Sequence, residues 1–257
     1  MLDSSQERLV KSTERVRDIG EVFTPNATVQ EMLDLLPLTV WSAHPSLTFL
    51  EPACGDGNFL VAILDRKLDE VARLYSLGGL PAGNDPSAVQ YHGLEAVASI
   101  YAVDISFENV VGGTPDHEIG ARTRLLNLFY EWNARTLSKN LNERSLVLRA
   151  AEWIVEHNIL LGNMLPFDGQ GKCTGRDELP LIEYIFEPVS RSVALRKTTM
   201  GDVITREEAR TTPTLPLFGP EDPQPLWKGK AVHLAEAVRV EAPKLSGPAR
   251  NGVGRRP

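Results

Sequence analysis

The stretch Phe49-Leu50-Glu51-Pro52-Ala53-Cys54-Gly55-Asp56-Gly57-Asn58-Phe59-Leu60 decides the fold. Leu47, Phe49 and Leu50 form a short apolar run that stops at an acid and a proline. Beyond the glycines, Leu60, Ile63, Leu64, Leu68, Val71 and Leu74 recur at helical spacing, so the stretch reads as strand, glycine turn and helix, the helix running to about Tyr75. In open α/β sheets such a turn lies at the carboxyl end of a strand, where a nucleotide-like ligand can rest against bare backbone. Gly55 and Gly57 would permit that approach. The structural alternative is a glycine turn that merely joins strand to helix.

A chain of 257 residues can bury one sizeable core, most simply as one domain with appendages. Its 42% hydrophobic and 24% charged content is that of an ordinary soluble globular protein. No apolar run approaches the roughly 20 residues that a membrane helix requires, and the N-terminus carries no signal-peptide core. The expectation is a cytoplasmic protein without a membrane segment. Cys54 lies in the glycine turn and Cys173 in a polar loop; two cysteines make neither a disulfide framework nor a metal cluster, and both read as structural thiols. The net charge of −7 argues against unaided capture of a phosphate backbone, which needs a surplus of Lys and Arg.

Taken in order, residues 3 to 17 alternate in charge and read as a solvated arm. Thr24-Pro25-Asn26-Ala27-Thr28 leads into a helix with Val29, Met32, Leu33 and Leu36 on its apolar face. Residues 77 to 86, rich in glycine and proline, form a loop, and a short helix follows from about Ser87 to Val97. The β-rich run Ser99 to Ile105 places Asp104 at a strand's carboxyl end. There an ionised carboxylate can accept from both hydroxyls of a ribose; capping the next helix is the alternative. Thr114-Pro115 reads as the start of a helix to about Leu137, in which Phe129, Tyr130 and Trp132 pack as core. A helix from about Glu143 to His157 leads into the strand Ile159 to Asn163. Leu181 to Pro188 and Val193 to Leu195 are further strands, and the chain beyond Arg210 is proline-rich, with a short helix near Ala231 to Val240 and a basic tail.

Glu51 followed by Pro-Ala-Cys-Gly-x-Gly-x-Phe-Leu, with Gly20-Glu21-Val22-Phe23-Thr24-Pro25 about a helix upstream, resembles the paired motifs of adenine-specific DNA methyltransferases that serve as modification subunits of restriction systems. The resemblance extends in motif order to about Phe186. It implies an α/β, Rossmann-like class I methyltransferase fold with a central, mostly parallel sheet and helices on both faces. It also implies S-adenosyl-L-methionine as cofactor. Phe23, Thr24 and Pro25 would line one side of the pocket and Glu51, Ala53, Gly55 and Gly57 the other, with Asp104 on the ribose. Asn163 stands where the family has an acid near the adenine amine, and an amide oxygen can accept from that amine. The implied division is an N-terminal helical arm over 1–19, a methyltransferase-like domain over 20–210 and a proline-rich extension over 211–257.

The resemblance breaks at the acceptor site. The family holds a flipped adenine with Asn/Asp-Pro-Pro-Tyr/Phe at the end of its fourth strand, and that tetrapeptide does not occur here. Glu187-Pro188-Val189-Ser190 follows an apolar strand as the motif should, so Glu187 and Pro188 are the catalytic candidates; Glu187 capping the strand end is the alternative. Asn163-Met164-Leu165-Pro166-Phe167 is a second degenerate match, with one residue too many. About 60 residues follow Val193, many of them near prolines, which leaves little for reading a DNA sequence. DNA is the expected acceptor, with a partner subunit supplying target recognition. The competing readings are a cofactor-binding regulatory protein of degenerate methyltransferase type, and a methyltransferase for a nitrogen in protein or a small molecule.

Overall fold

The computed structural model describes residues 24–42, 47–114, 117–142, 144–211 and 225–236. The arm over 1–19, Phe23, most of the proline-rich stretch and the basic tail lie outside the described residues. In chain order the elements are α1 (Asn26–Asp34), α2 (Leu38–Ser42), β1 (Phe49–Glu51), α3 (Asn58–Ser76), α4 (Pro86–Ala98), β2 (Ile100–Asp104) and α5 (Phe107–Val110). There follow β3 (Gly112–Thr114), β4 (His117–Ile119), α6 (Ala121–Leu137), α7 (Leu146–Asn158) and β5 (Ile159–Leu161). Last come β6 (Pro180–Glu187), β7 (Ser192–Thr199), α8 (Met200–Thr211), β8 (Trp227–Lys230) and a 3-10 helix (Ala231–Glu236).

Local chemistry sets several boundaries. Asp85 caps α4 by accepting from the Ser87 and Ala88 amides at 2.9 and 3.2 Å, and Pro86 occupies the first helical position, where a missing N–H costs nothing. The helix expected from Thr114 starts instead at Ala121, because β3 and β4 first form a small antiparallel ribbon. Gly120 marks the break, since a Cβ there would lie 2.5 Å from the Val111 carbonyl carbon. Of the expected apolar face of α1, Val29 and Leu33 are buried while Met32 and Leu36 are exposed. Neither α2 nor α8 was foreseen in the sequence.

β1, β2 and β5 form a three-stranded parallel sheet in that order, with Phe49 opposite Ile100, and Ala102 opposite Ile159. One face sends Ile100, Ala102 and Ile159 into the main core with Leu60, Leu64, Leu94, Phe129 and Ile154. Trp132 is fully buried there and donates its indole N–H to the Leu68 carbonyl at 2.9 Å. The opposite face packs Val103 and Leu160 against Leu181 and against Met200, Val203 and Ile204 of α8. The molecule is thus α/β, with a small parallel sheet and helices. No described helix is long and apolar enough to cross a membrane.

β6 does not extend this sheet. It pairs antiparallel with β7, which pairs antiparallel with β8, in a separate three-stranded sheet. Its contacts trace its direction: Leu181 packs beside Val103, the Ile182 carbonyl accepts from the Tyr101 hydroxyl at 2.7 Å, and the Tyr184 hydroxyl donates to Asn158 at 2.9 Å. Asn158 in turn holds the Ala98 and Ile100 carbonyls at the amino end of β2. β6 therefore runs from the carboxyl end of the parallel strands toward their amino end. The segment 227–236, expected to belong to the extension, is part of the folded body: β8 completes the second sheet, and Ala231 and Leu234 are buried in the main core.

Candidate functional site

The turn between β1 and α3 sits at the carboxyl end of the parallel sheet, where the Cys54 amide continues the ladder by donating to the Val103 carbonyl at 3.1 Å. The chain then folds on itself, with the Gly57 amide donating to the Cys54 carbonyl at 2.9 Å. Gly55 and Gly57 have φ of +53° and +94°, so both occupy backbone space that favours glycine. Gly57 has a second reason to be glycine: a Cβ there would lie 3.0 Å from the Ala121 Cβ, so its bareness lets α6 approach the turn. At this position the close neighbour is helix rather than ligand.

Asp104, at the end of β2, fastens the turn. One carboxylate oxygen accepts from the Gly55 amide at 2.8 Å, and the other accepts from the Ser106 amide at 2.8 Å and the Asn109 side chain at 3.2 Å. The same carboxylate also organises the entry to α5, whose N-cap is Ser106. About four lone-pair positions exist on a carboxylate, and three are occupied. One remains for a ribose hydroxyl, unless an amide is displaced. Glu51 is less committed: one of its oxygens accepts from the Ala53 amide at 3.2 Å.

Asn163 follows β5 at the same end of the sheet, and the Gly162 amide donates to the Asp104 carbonyl at 2.9 Å. The Asn163 side-chain oxygen accepts from the Leu165 amide at 2.9 Å, which leaves it a second lone pair. The loop beyond presents Leu165 and Phe167 at its surface, with Phe167 bridged to Cys173. Cys54 is buried, and that burial, reinforced by the carboxylates of Asp104 and Glu51, pushes its thiol far above the ordinary range. It is inert packing. Cys173 is exposed.

A residue set that the sequence did not reveal holds the turn from outside. Arg124, in the first turn of α6, donates to the Asp56 carbonyl at 2.9 Å and to the Asn58 side-chain oxygen at 2.8 Å, and pairs with the Asp56 carboxylate at 3.0 Å. The Asn58 amide nitrogen donates to the Thr24 carbonyl at 3.0 Å. Thr24 and Pro25, which open α1, are thereby tied to the glycine turn. Arg122 donates to the carbonyls of Glu156 and Ile159, where α7 gives way to β5. Reading one helix from Thr114 buried these arginines in mid-helix; the glycine break at Gly120 was the available signal.

Glu187 and Pro188 are not brought to this site. Six residues of extended chain separate Leu181, beside the parallel sheet, from Glu187, a displacement on the order of 20 Å toward the amino end. Glu187 stands at the β6–β7 turn, bonded to Lys228 at 3.0 Å, Ser192 at 3.2 Å and Ser190 at 3.4 Å. The Lys228 contact, then Ser192, holds its carboxyl below the usual range, which suits a surface ion pair rather than a base. The expected strand ending at Glu187 forms, but outside the parallel sheet, because β6 finds β7 as an antiparallel neighbour through a tight turn.

A cavity of about 610 Å³ also lies away from the turn. It borders Thr48, Phe49 and Ser99 at the amino ends of β1 and β2, and Tyr184 and Phe186 of β6. Among the described residues no group of three or more His, Cys, Asp or Glu is placed to hold a metal ion. No protein family, curated protein or solved structure matches this chain.

Proposed function

We propose that this protein binds S-adenosyl-L-methionine in a Rossmann-like class I methyltransferase fold, and that it serves as an adenine-specific DNA methyltransferase component of a restriction or phage-defence system. The observation that carries the reading is the turn Glu51–Gly57, open at the carboxyl end of a parallel sheet and fastened by an acid at the end of the next strand. The residues fit the cofactor. Gly55 offers bare backbone, Glu51 has spare acceptor positions for hydroxyl or ammonium donors, Asp104 keeps one, and the Asn163 oxygen keeps one for the adenine amine. The cofactor supplies an activated methyl group on sulfonium. The chain's own task is to hold the donor still while an acceptor nitrogen is aligned with it.

Flipping an adenine from a duplex costs a few kcal/mol, normally offset by an aromatic face and two acceptors. With Glu187 and Pro188 at the far end of the molecule, this chain brings no such group to the turn from β6. Phe167 lies beyond β5, two strands away from β1. A partner that contributes DNA contacts and the stacking group completes the reading, and the charge of −7 agrees, because capture of a duplex is built on cationic contacts. The position of Glu187 equally favours a second reading, a cofactor-binding regulatory protein. Incubation with tritiated cofactor and unmethylated DNA at low salt, with and without the products of adjacent genes, separates them. Incorporation into adenine only with a partner supports the first reading. Cofactor binding without incorporation under any combination supports the second, and robust incorporation by the lone chain overturns the partner requirement.

A further inference from the structure

We propose that Arg124 is a positioning residue that joins the Thr24-Pro25 segment and the glycine turn into one rigid jaw, and so governs the grip on the amino-acid half of the cofactor. The inference rests on the S-adenosyl-L-methionine reading and adds to it a residue outside every motif that suggested it. The geometry is a relay. The Arg124 guanidinium spans the Asp56 carbonyl and the Asn58 oxygen, and Asn58 passes the constraint to the Thr24 carbonyl at 3.0 Å. A planar fork with fixed donor directions can hold both acceptors in register, which a lysine cannot. The carboxyl ends run in the order β1, β2, β5. On that reading Asp104 and Asn163, on the last two, would take the adenosine half, which leaves the β1 turn and Thr24 for the amino-acid half. Ala121 against Gly57 anchors the start of α6, so that Arg124 works from a fixed base.

The test compares two ligands by calorimetry, S-adenosylhomocysteine and adenosine, on the wild type, Arg124→Gln, Arg124→Lys and Asn58→Ala. The expected result is a loss of about tenfold for S-adenosylhomocysteine in Arg124→Gln and Asn58→Ala, a factor that corresponds to about 1.4 kcal/mol. Adenosine affinity should stay within about twofold, and Arg124→Lys should recover part of the loss by restoring one of the three contacts. A merely structural role would weaken both ligands alike; that outcome overturns the proposal, as does unchanged binding of both. Arg124→Lys and Asn58→Ala, each of which keeps part of the relay, guard against failure of Arg124→Gln to fold. If the wild type binds neither ligand, the cofactor reading itself has failed and the proposal falls with it. Failure of the positioning role alone shows as wild-type binding without the difference between ligands.

Discussion

At the carboxyl ends of β1, β2 and β5, side chains hold backbone: Asp104 grips two amides, Arg124 a carbonyl, Asn58 the Thr24 carbonyl and Asn163 an amide. In the antiparallel sheet charged side chains mostly hold one another, as in Glu183 with Arg196 and Arg206, and Glu187 with Lys228, Arg191 on the Ala82 carbonyl being an exception. The first pattern fixes a glycine turn with its backbone bare, the preorganisation on which the proposed ligand site depends. The second satisfies charges at a surface and asks nothing of a ligand.

Asp104→Ala should break this contrast most severely. It removes the carboxylate that accepts from two amides and the Asn109 side chain, and with bonds to a charged group worth about 1.5–3 kcal/mol each, a loss of more than about 4 kcal/mol in stability is expected by urea unfolding. Binding of S-adenosylhomocysteine should vanish with it. Unchanged stability would show that the turn stands without Asp104.

Gly57→Val comes next. It combines φ of +94° with a contact at 3.0 Å to Ala121, for a cost of about 1–3 kcal/mol. Adding Ala121→Gly should recover the steric part and leave the backbone strain, which a double-mutant cycle in thermal unfolding can separate. Additive effects of the two changes would mean that Gly57 and α6 are not packed as described.

A smaller effect appears with pH. Burial pushes Lys67 down to about 8, so above that pH the unfolded chain binds a proton that the folded chain has released, and stability rises by about 1 kcal/mol from pH 8 to 9. Buried Cys54 acts in the opposite sense, because its thiol stays protonated in the fold while the unfolded thiol ionises, which lowers stability above about pH 9. The wild type should therefore level off where Cys54→Ala continues to rise, and Lys67→Met should show no rise. Denaturant midpoints across that range decide it. The smallest effect belongs to Glu187→Gln, which should leave S-adenosylhomocysteine binding unchanged; a lost calorimetric signal would bring Glu187 back to the site.

Sequence reading located β1, α3, α4 and β2 to within a residue or two, because Leu60, Ile63, Leu64, Leu68 and Val71 are buried at the spacing their helix demands and the glycines of the turn admit few other paths. It failed at β6, whose apolar run is compatible with either a parallel or an antiparallel neighbour; Arg191, which anchors the hairpin turn to Asp85 and the Ala82 carbonyl, decides that only in three dimensions. It failed also at α6. The helix over residues 121 to 137 was expected to begin at Thr114, across the ribbon of β3 and β4 and past Gly120, and with the start misplaced, Arg124 could not be seen as a neighbour of the turn.

Hydrogen exchange, followed by mass spectrometry on the wild type with and without S-adenosylhomocysteine, tests the central claim most directly. The account predicts slowed exchange over residues 51–58 and around Asp104 and Asn163, with residues 180–199 of the antiparallel sheet unaffected. Protection confined to β6 and β7, or none over residues 51–58 at saturating ligand, would contradict it.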